Sequence, residues 1–219
     1  MLISLSNIAN AIQCKTDQVK LQVLGSGGPE LDDGRNSSGY LIWYENKARV
    51  LVDAGAGSSI MFGQSGAKFE DLQGILLTHL HVDHSADLPA FIKSSYFTPR
   101  SENLSIFGPA ANELMPSTSN FMQRLMGDKG AFAYLSGYVN KRANADYKIV
   151  ATDVPLIKGQ TFNYELTKDI TAKATFVHHG PVAAVAGRGE LAGWICVFSG
   201  DKSNQFDVLS AFASEADIL

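Results

Sequence analysis

"LTHLHVDHSAD", residues 77–87, holds three of the chain's five histidines within six positions, with Asp83 among them. Chance clustering and a buried histidine pair account poorly for that density in a chain of 219 residues. Imidazole nitrogen and carboxylate oxygen suit zinc and other borderline divalent metals, so a metal site accounts for it better. The preceding "GILLT" (74–78) reads as a strand that brings the chain to a sheet edge. His79 and His81 lie two residues apart, point the same way in extended geometry, and can share one cation. Asp83 and His84 follow where the chain should turn into a helix at Ala86, which aims them at a second point close by. Two adjacent metals are the expectation.

Two distant segments join this one. His178 and His179 form the only other histidine pair and end the strand-like "ITAKATFV" (170–177), just before Gly180-Pro181. "VFSGD" (197–201) puts Asp201 after an apolar strand and a Ser-Gly turn, where functional carboxylates sit at sheet edges. Alone, Asp201 would read as a turn or cap residue; in this company it becomes a candidate ligand.

With "LGSGGP" (24–29) and "LVDAG" (51–55) upstream, "THLHVDH" (78–84), "HHGPVAAVA" (178–186) and "FSGD" (198–201) resemble the metallo-β-lactamase fold superfamily. The likeness is strongest to its ribonuclease Z and arylsulfatase-like metallohydrolase branch. It covers residues 19–219, with the motifs in the family's order. The resemblance implies an α/β fold, a four-layer αββα sandwich with a two-metal hydrolytic centre at the sheet edge. Position by position, it assigns His79, His81 and His179 to one metal, Asp83 and His84 to a second, and Asp201 to a bridge between them. It selects His179 because the family ligand precedes the glycine, and leaves His178 as a supporting or pocket residue.

Asp53 becomes, by the same resemblance, a buried carboxylate that orients a ligand histidine, against a plain turn residue at a strand end. Gly25, Gly27 and Gly28 would shape a tight loop near the site, against a glycine turn with no role. Asp83 is the implied catalytic residue, orienting or deprotonating the nucleophile. The implied cofactor is a pair of divalent ions, zinc first, with manganese or iron as alternatives. Family members also carry a final histidine beyond the segment matching "SEADIL" (214–219), whereas no histidine follows His179 here. The expectation is a domain over 19–219 that lacks its C-terminal strand or strands, with its second metal short of a ligand.

The expected function is metal-dependent hydrolysis of an ester by an activated water, with a phosphodiester or sulfate ester favoured. A catalytically weak metal-binding scaffold of the same fold is one alternative, and a tRNA 3′-processing endonuclease another. A net charge of −4, a pI near 5.7 and the lack of a clear arm sequence favour a small-molecule ester and weigh against nucleic acid. A homo-oligomer stays open.

The composition, 45% hydrophobic and 18% charged, supports a sizeable core. No apolar run approaches the roughly 18–20 residues that span a bilayer, so no membrane partner is expected. "MLISLSNIANA" (1–11), with Ala9-Asn10-Ala11, makes residues 1–18 either a signal-peptide remnant or an irregular extension. The first implies a periplasmic or secreted protein, the second a cytoplasmic one. Export would allow Cys14 and Cys196 to pair, although Cys196 in "GWICVF" (193–198) reads as core.

Further strands are expected at "VKLQVL" (19–24), "GYLIWYE" (39–45), "ARVLVDAG" (48–55), "LSIFG" (104–108) and "GWICVFSGD" (193–201). Helices are expected over 86–97, 110–126 ending at Gly127, and 204–213. "AFAYLSGYVNKRANADYK" (131–148) reads as two surface helices in preference to a substrate-facing insertion. Strands in hairpin succession and strands alternating with helices together predict mixed α/β layers.

Overall fold

Along β2 (Gly39–Tyr44), β3 (Lys47–Val52), β4 (Gly74–Leu76) and β5 (Leu104–Pro109), successive side chains point to opposite faces, and both faces are covered. Leu41, Leu51, Ile75 and Ile106 enter one apolar cluster, while Ile42, Val50, Val52, Leu76 and Phe107 enter another. Double burial is why these runs are nearly continuous in apolar residues. The computed structural model describes residues 18–140, 144–205 and 207–219.

With β1 (Val19–Gly25) and β6 (Ile149–Val154), these strands make a six-stranded sheet in sequence order, antiparallel from β1 to β3 and parallel from β3 to β6. A second, antiparallel sheet contains β7 (Thr161–Thr167), β8 (Ile170–His179), β9 (Val182–Leu191) and β10 (Trp194–Phe198), in the order β10-β9-β8-β7.

The apolar clusters define the layers. Phe62 of α1 (Ser58–Gln64), Leu88, Phe91 and Ile92 of α3 (Leu88–Ser94), and Met122 and Met126 of α4 (Thr118–Met126) pack on one face of the first sheet. Its other face meets Val185, Cys196 and Phe198 of the second sheet. Beyond that, Val177, Ala184, Ala186 and Val197 pack against Phe212 of α6 (Leu209–Phe212). The order helix, sheet, sheet, helix is the αββα sandwich expected. Truncating a wholly buried side chain such as Leu51 or Leu77 to alanine costs about 2–5 kcal/mol.

Several boundaries differ from the sequence expectations for physical reasons. The helix expected from residue 110 starts at Thr118, after Pro116, where Ser117 Oγ caps the free N–H of Asn120 at 3.3 Å. The helix over 86–97 becomes α3 and a 3-10 turn at Ser95–Phe97, with the separate single turn α2 (Val82–Ser85) ahead of it. The late helix contracts to α6. β6, β7 and β9 lie outside the runs that read as strands.

The described residues of 131–148 are not two surface helices. They carry a 3-10 turn and the single turn α5 (Ser136–Val139), and they plug the core with Leu135 and Tyr147, 2% and 3% exposed. The Arg100 guanidinium stacks near the Phe69 and Tyr147 rings, 5.5 and 5.2 Å from their centroids, and donates to three backbone carbonyls. Lys141 and Arg142 of that segment lie outside the described residues, as do Ala9, Ala11 and Cys14. Cys196 is buried core, as expected. Among the described residues, no helix is long and apolar enough to cross a membrane.

Candidate metal centre

Three chain segments end at one rim of the sandwich. The chain leaves β4 at Leu77, and Thr78 and His79 follow, with His79 pairing to Ala184 of β9 in an isolated bridge. Val185 N donates to Thr78 O at 2.8 Å, so backbone hydrogen bonds join the two sheets beside the histidines. His81 is the N-terminal flank of α2, whose single turn carries Asp83 and His84. His179 is the last residue of β8, before the left-handed Gly180 of the hairpin. Asp201 comes from the loop after β10. There a Cβ on Gly200 would strike the Thr78 side chain, so only glycine lets the loop approach.

The donor atoms form two groups that share His79. In the first, His79 Nε2 and His81 Nδ1 are 3.1 Å apart, and His179 Nε2 lies 3.5 Å from His81 Nδ1. The second is His79, His84 and Asp201, with His84 Nε2 3.5 Å from Asp201 Oδ1, and Asp83 Oδ2 lies beside it, also 3.5 Å from His84 Nε2. The other oxygen of Asp201 is 3.9 Å from His179 Nε2, so one carboxylate looks into both groups. Nitrogen ligands about 2.0–2.1 Å from a tetrahedral zinc sit about 3.3 Å from one another, which is the spacing these side chains already have.

Two hydrogen bonds fix which nitrogen each inner histidine presents. Asp53 Oδ2 accepts from His84 Nδ1 at 2.8 Å, leaving His84 Nε2 bare toward Asp83 and Asp201. Asp53 also accepts from Thr78 N at 2.7 Å and from Thr78 Oγ1 at 2.9 Å. With its proton committed, the Thr78 hydroxyl can only accept from His79 Nδ1, 3.1 Å away, so His79 Nε2 is bare as well. Asp53 therefore anchors one histidine in each group. Its backbone is left-handed, φ 58°, a conformation that aspartate tolerates better than most residues.

Burial sets the protonation. Desolvation pushes the His79 imidazole down to about 2, and the neighbouring His84, His81 and His179 push the same way. Burial also lowers His179, against the opposing pull of Asp201. His84 differs: burial pulls it down, but the hydrogen bond and charge of Asp53, with Asp201 and Asp83, outweigh that and raise it. Thus burial favours the neutral imidazole at His79 and His179, and the carboxylates gather around the second group. His79, Asp83 and His84 are buried, His81 and His179 are half-buried, and the Asp201 side chain is 48% exposed, so the centre opens on the Asp201 side.

The structure brings together all six residues named as candidate ligands, and Asp53 contacts His84. His178 points away from His179 and donates to or accepts from Ser203 Oγ at 2.8 Å, while Ser203 N donates to His178 O at 2.7 Å. It fastens the Asp201 loop to β8. Thr78 was not marked by the sequence, because a threonine beside a histidine carries no signal of its own. Gly55 gives α2 its seat: a Cβ there would overlap the Asp83 carbonyl oxygen.

The family profile described as the metallo-beta-lactamase superfamily matches residues 32–204. The chain belongs to that superfamily. The family expectation is thereby borne out, and the two donor groups fit divalent metal. Ribonuclease Z of Picrophilus torridus is 33% identical over 90 residues, covering 41% of this chain and 29% of that protein. The chain's match thus spans under a third of that relative's length. Among solved metallo-beta-lactamase folds, YhfI from Bacillus subtilis superposes with a TM-score of 0.65 at 21% identity, over 91% of this chain and 69% of that one. Human tRNase Z, short form, gives 0.63 at 19% identity, over 83% and 68%. These two show the fold.

One expectation is corrected. A small-molecule ester, with nucleic acid set aside, conflicts with relatives named ribonuclease Z and a neighbour named tRNase Z. Net charge averages over a whole surface and does not describe the face that meets a substrate, so a sum of −4 was a poor guide to partners.

Proposed function

We propose that the chain carries the hydrolytic centre of an RNA phosphodiesterase of the ribonuclease Z kind, acting on precursor tRNA. His79, His81 and His179 would hold one divalent cation and Asp83 and His84 a second, with Asp201 facing both, and the metal would be zinc. The observation that carries this is the pair of donor sets, His79 with His81 and His179 and His79 with His84 and Asp201, whose ligand atoms lie within 4.8 Å of one another in each set. The ribonuclease Z relatives supply the substrate class.

A divalent cation at such a site makes water more acidic and offsets charge growing on a phosphoryl oxygen. The chain's own residues do the rest. Asp83, held on α2 over Gly55, takes the proton of the attacking water. Asp53 and Thr78 keep the His84 and His79 nitrogens aimed, so no reorientation is needed as charge develops. The exposed Asp201 side leaves room for a polymer to reach the centre.

The test is cleavage by zinc-loaded protein of bis-p-nitrophenyl phosphate and of a precursor tRNA. Chelator-sensitive cleavage of both is expected. Hydrolysis of p-nitrophenyl sulfate with neither phosphodiester cut would overturn the proposal.

A further inference from the structure

Tyr96 and Phe97, in the 3-10 turn after α3, are 68% and 78% exposed, and Tyr134, from a separate segment, is 70% exposed. The first two rings meet edge to face with centroids 5.3 Å apart. Lys93 Nζ lies 4.4 Å from the Tyr96 centroid, 5.3 Å from Phe97 and 5.9 Å from Tyr134. One ammonium thus gathers rings from two chain segments into a single open surface. Phe132 extends it, its ring 6.5 Å from Tyr134. The segment carrying them is fastened to α4, Ala131 N donating to Arg124 O at 3.0 Å and Phe132 N to Leu125 O at 2.6 Å.

Clustered exposed rings mark a surface that meets a partner. The chemistry here is specific: aromatic faces on which bases stack irrespective of sequence, with a cation among them for the phosphate backbone. A second copy of this chain suits the patch less well. Two-fold pairing through the same rings would drive two Lys93 ammonium groups toward each other. The patch is distinct from the metal centre, since α3 starts at Leu88 and carries Lys93 about 7.5 Å along its axis.

We propose that Lys93, Tyr96, Phe97 and Tyr134 form a stacking platform for unpaired bases of the RNA whose phosphodiester is cut at the metal centre. The proposal rests on the RNA phosphodiesterase function above and adds a site for holding the strand.

The experiment is fluorescence anisotropy of a labelled oligouridylate at low salt, with the RNA checked for intactness on a gel. Replacing both rings, Tyr96→Ala with Phe97→Ala, should weaken binding about tenfold or more. Tyr96→Phe and Phe97→Tyr should keep affinity within about twofold, because stacking survives. Lys93→Gln should lower the salt dependence by about one phosphate contact. None of these variants should change turnover of bis-p-nitrophenyl phosphate. Absence of RNA binding by the parent chain, or equal binding by the double alanine variant, would overturn the platform. So would a dimer-to-monomer shift in that variant at unchanged RNA affinity, which would assign the rings to a second copy. Ring-dependent binding without phosphodiester cleavage would keep the platform and sink the catalytic proposal; the reverse pattern would do the opposite.

Discussion

His84 Nδ1 lies 2.8 Å from Asp53 Oδ2, and the same carboxylate reaches His79 through the Thr78 hydroxyl. A single buried acid, 1% exposed, therefore governs histidines in both donor groups. Asp53→Asn keeps the side-chain shape and tolerates the left-handed backbone, but it replaces an accepting oxygen by an NH2 group that faces other donors. Metal affinity should fall about 10–100-fold, measured by competition with a chromophoric chelator. Urea unfolding should show a loss of about 1–3 kcal/mol. Unchanged metal affinity would reduce Asp53 to a turn residue.

Asp83 is placed to act on the nucleophile as well as to hold metal, its Oδ2 3.5 Å from His84 Nε2. Asp83→Asn should lower turnover of bis-p-nitrophenyl phosphate by about 100-fold or more. The melting temperature should move little by comparison. A variant that melts early and retains its rate per folded molecule would contradict the assignment.

Four imidazoles crowd together, with the His79 ring centroid 4.0 Å from that of His84, 4.7 Å from His81 and 4.9 Å from His179. A cation that binds only this folded cluster must stabilise it. Zinc at 100 times its dissociation constant adds about 2.7 kcal/mol. For a chain of this size that is a rise in melting temperature on the order of 5–10 °C, read by differential scanning fluorimetry after chelator treatment. A flat response to zinc, manganese and iron would count against the site.

Away from the centre, burial pushes the Tyr147 phenol up to about 12, against the hydrogen bond to Ser95 Oγ at 2.7 Å. The folded value is raised above the unfolded value of about 10. Its contribution is therefore fully present below about pH 10 and is lost as pH rises through about 12, an amount of about 3 kcal/mol. Denaturant unfolding across that window should show the loss in the parent. Tyr147→Phe should flatten that part of the profile; an unaltered slope would mean another group titrates there.

The sequence was legible where one requirement dominated. β2 to β5 read as strands because both their faces are buried, and the ligand segments read because imidazoles are rare and costly to cluster. β9 was obscured because the tight fit of the two sheets demands small residues: Ala183, Ala184 and Ala186 are at most 1% exposed, and a Cβ on Gly187 would strike Leu76. Alanine and glycine are poor strand signals, so packing overrode propensity there. β7 alternates exposed and half-buried residues at a sheet edge, a weak version of the pattern. Thr78 and the plug formed by Leu135 and Tyr147 depend on contacts distant in sequence, which no local pattern encodes. Net charge, a sum over the chain, does not register a local cluster such as Lys93 with its rings.

Val185 N on Thr78 O, next to the His79–Ala184 bridge, rivets the two halves of the sandwich at the spot where the donor atoms meet. Neither half can assemble the centre alone, and neither can swing without dislodging it. Loops around the rim are therefore free to diverge in shape and target, while the joint beneath them tolerates almost no drift.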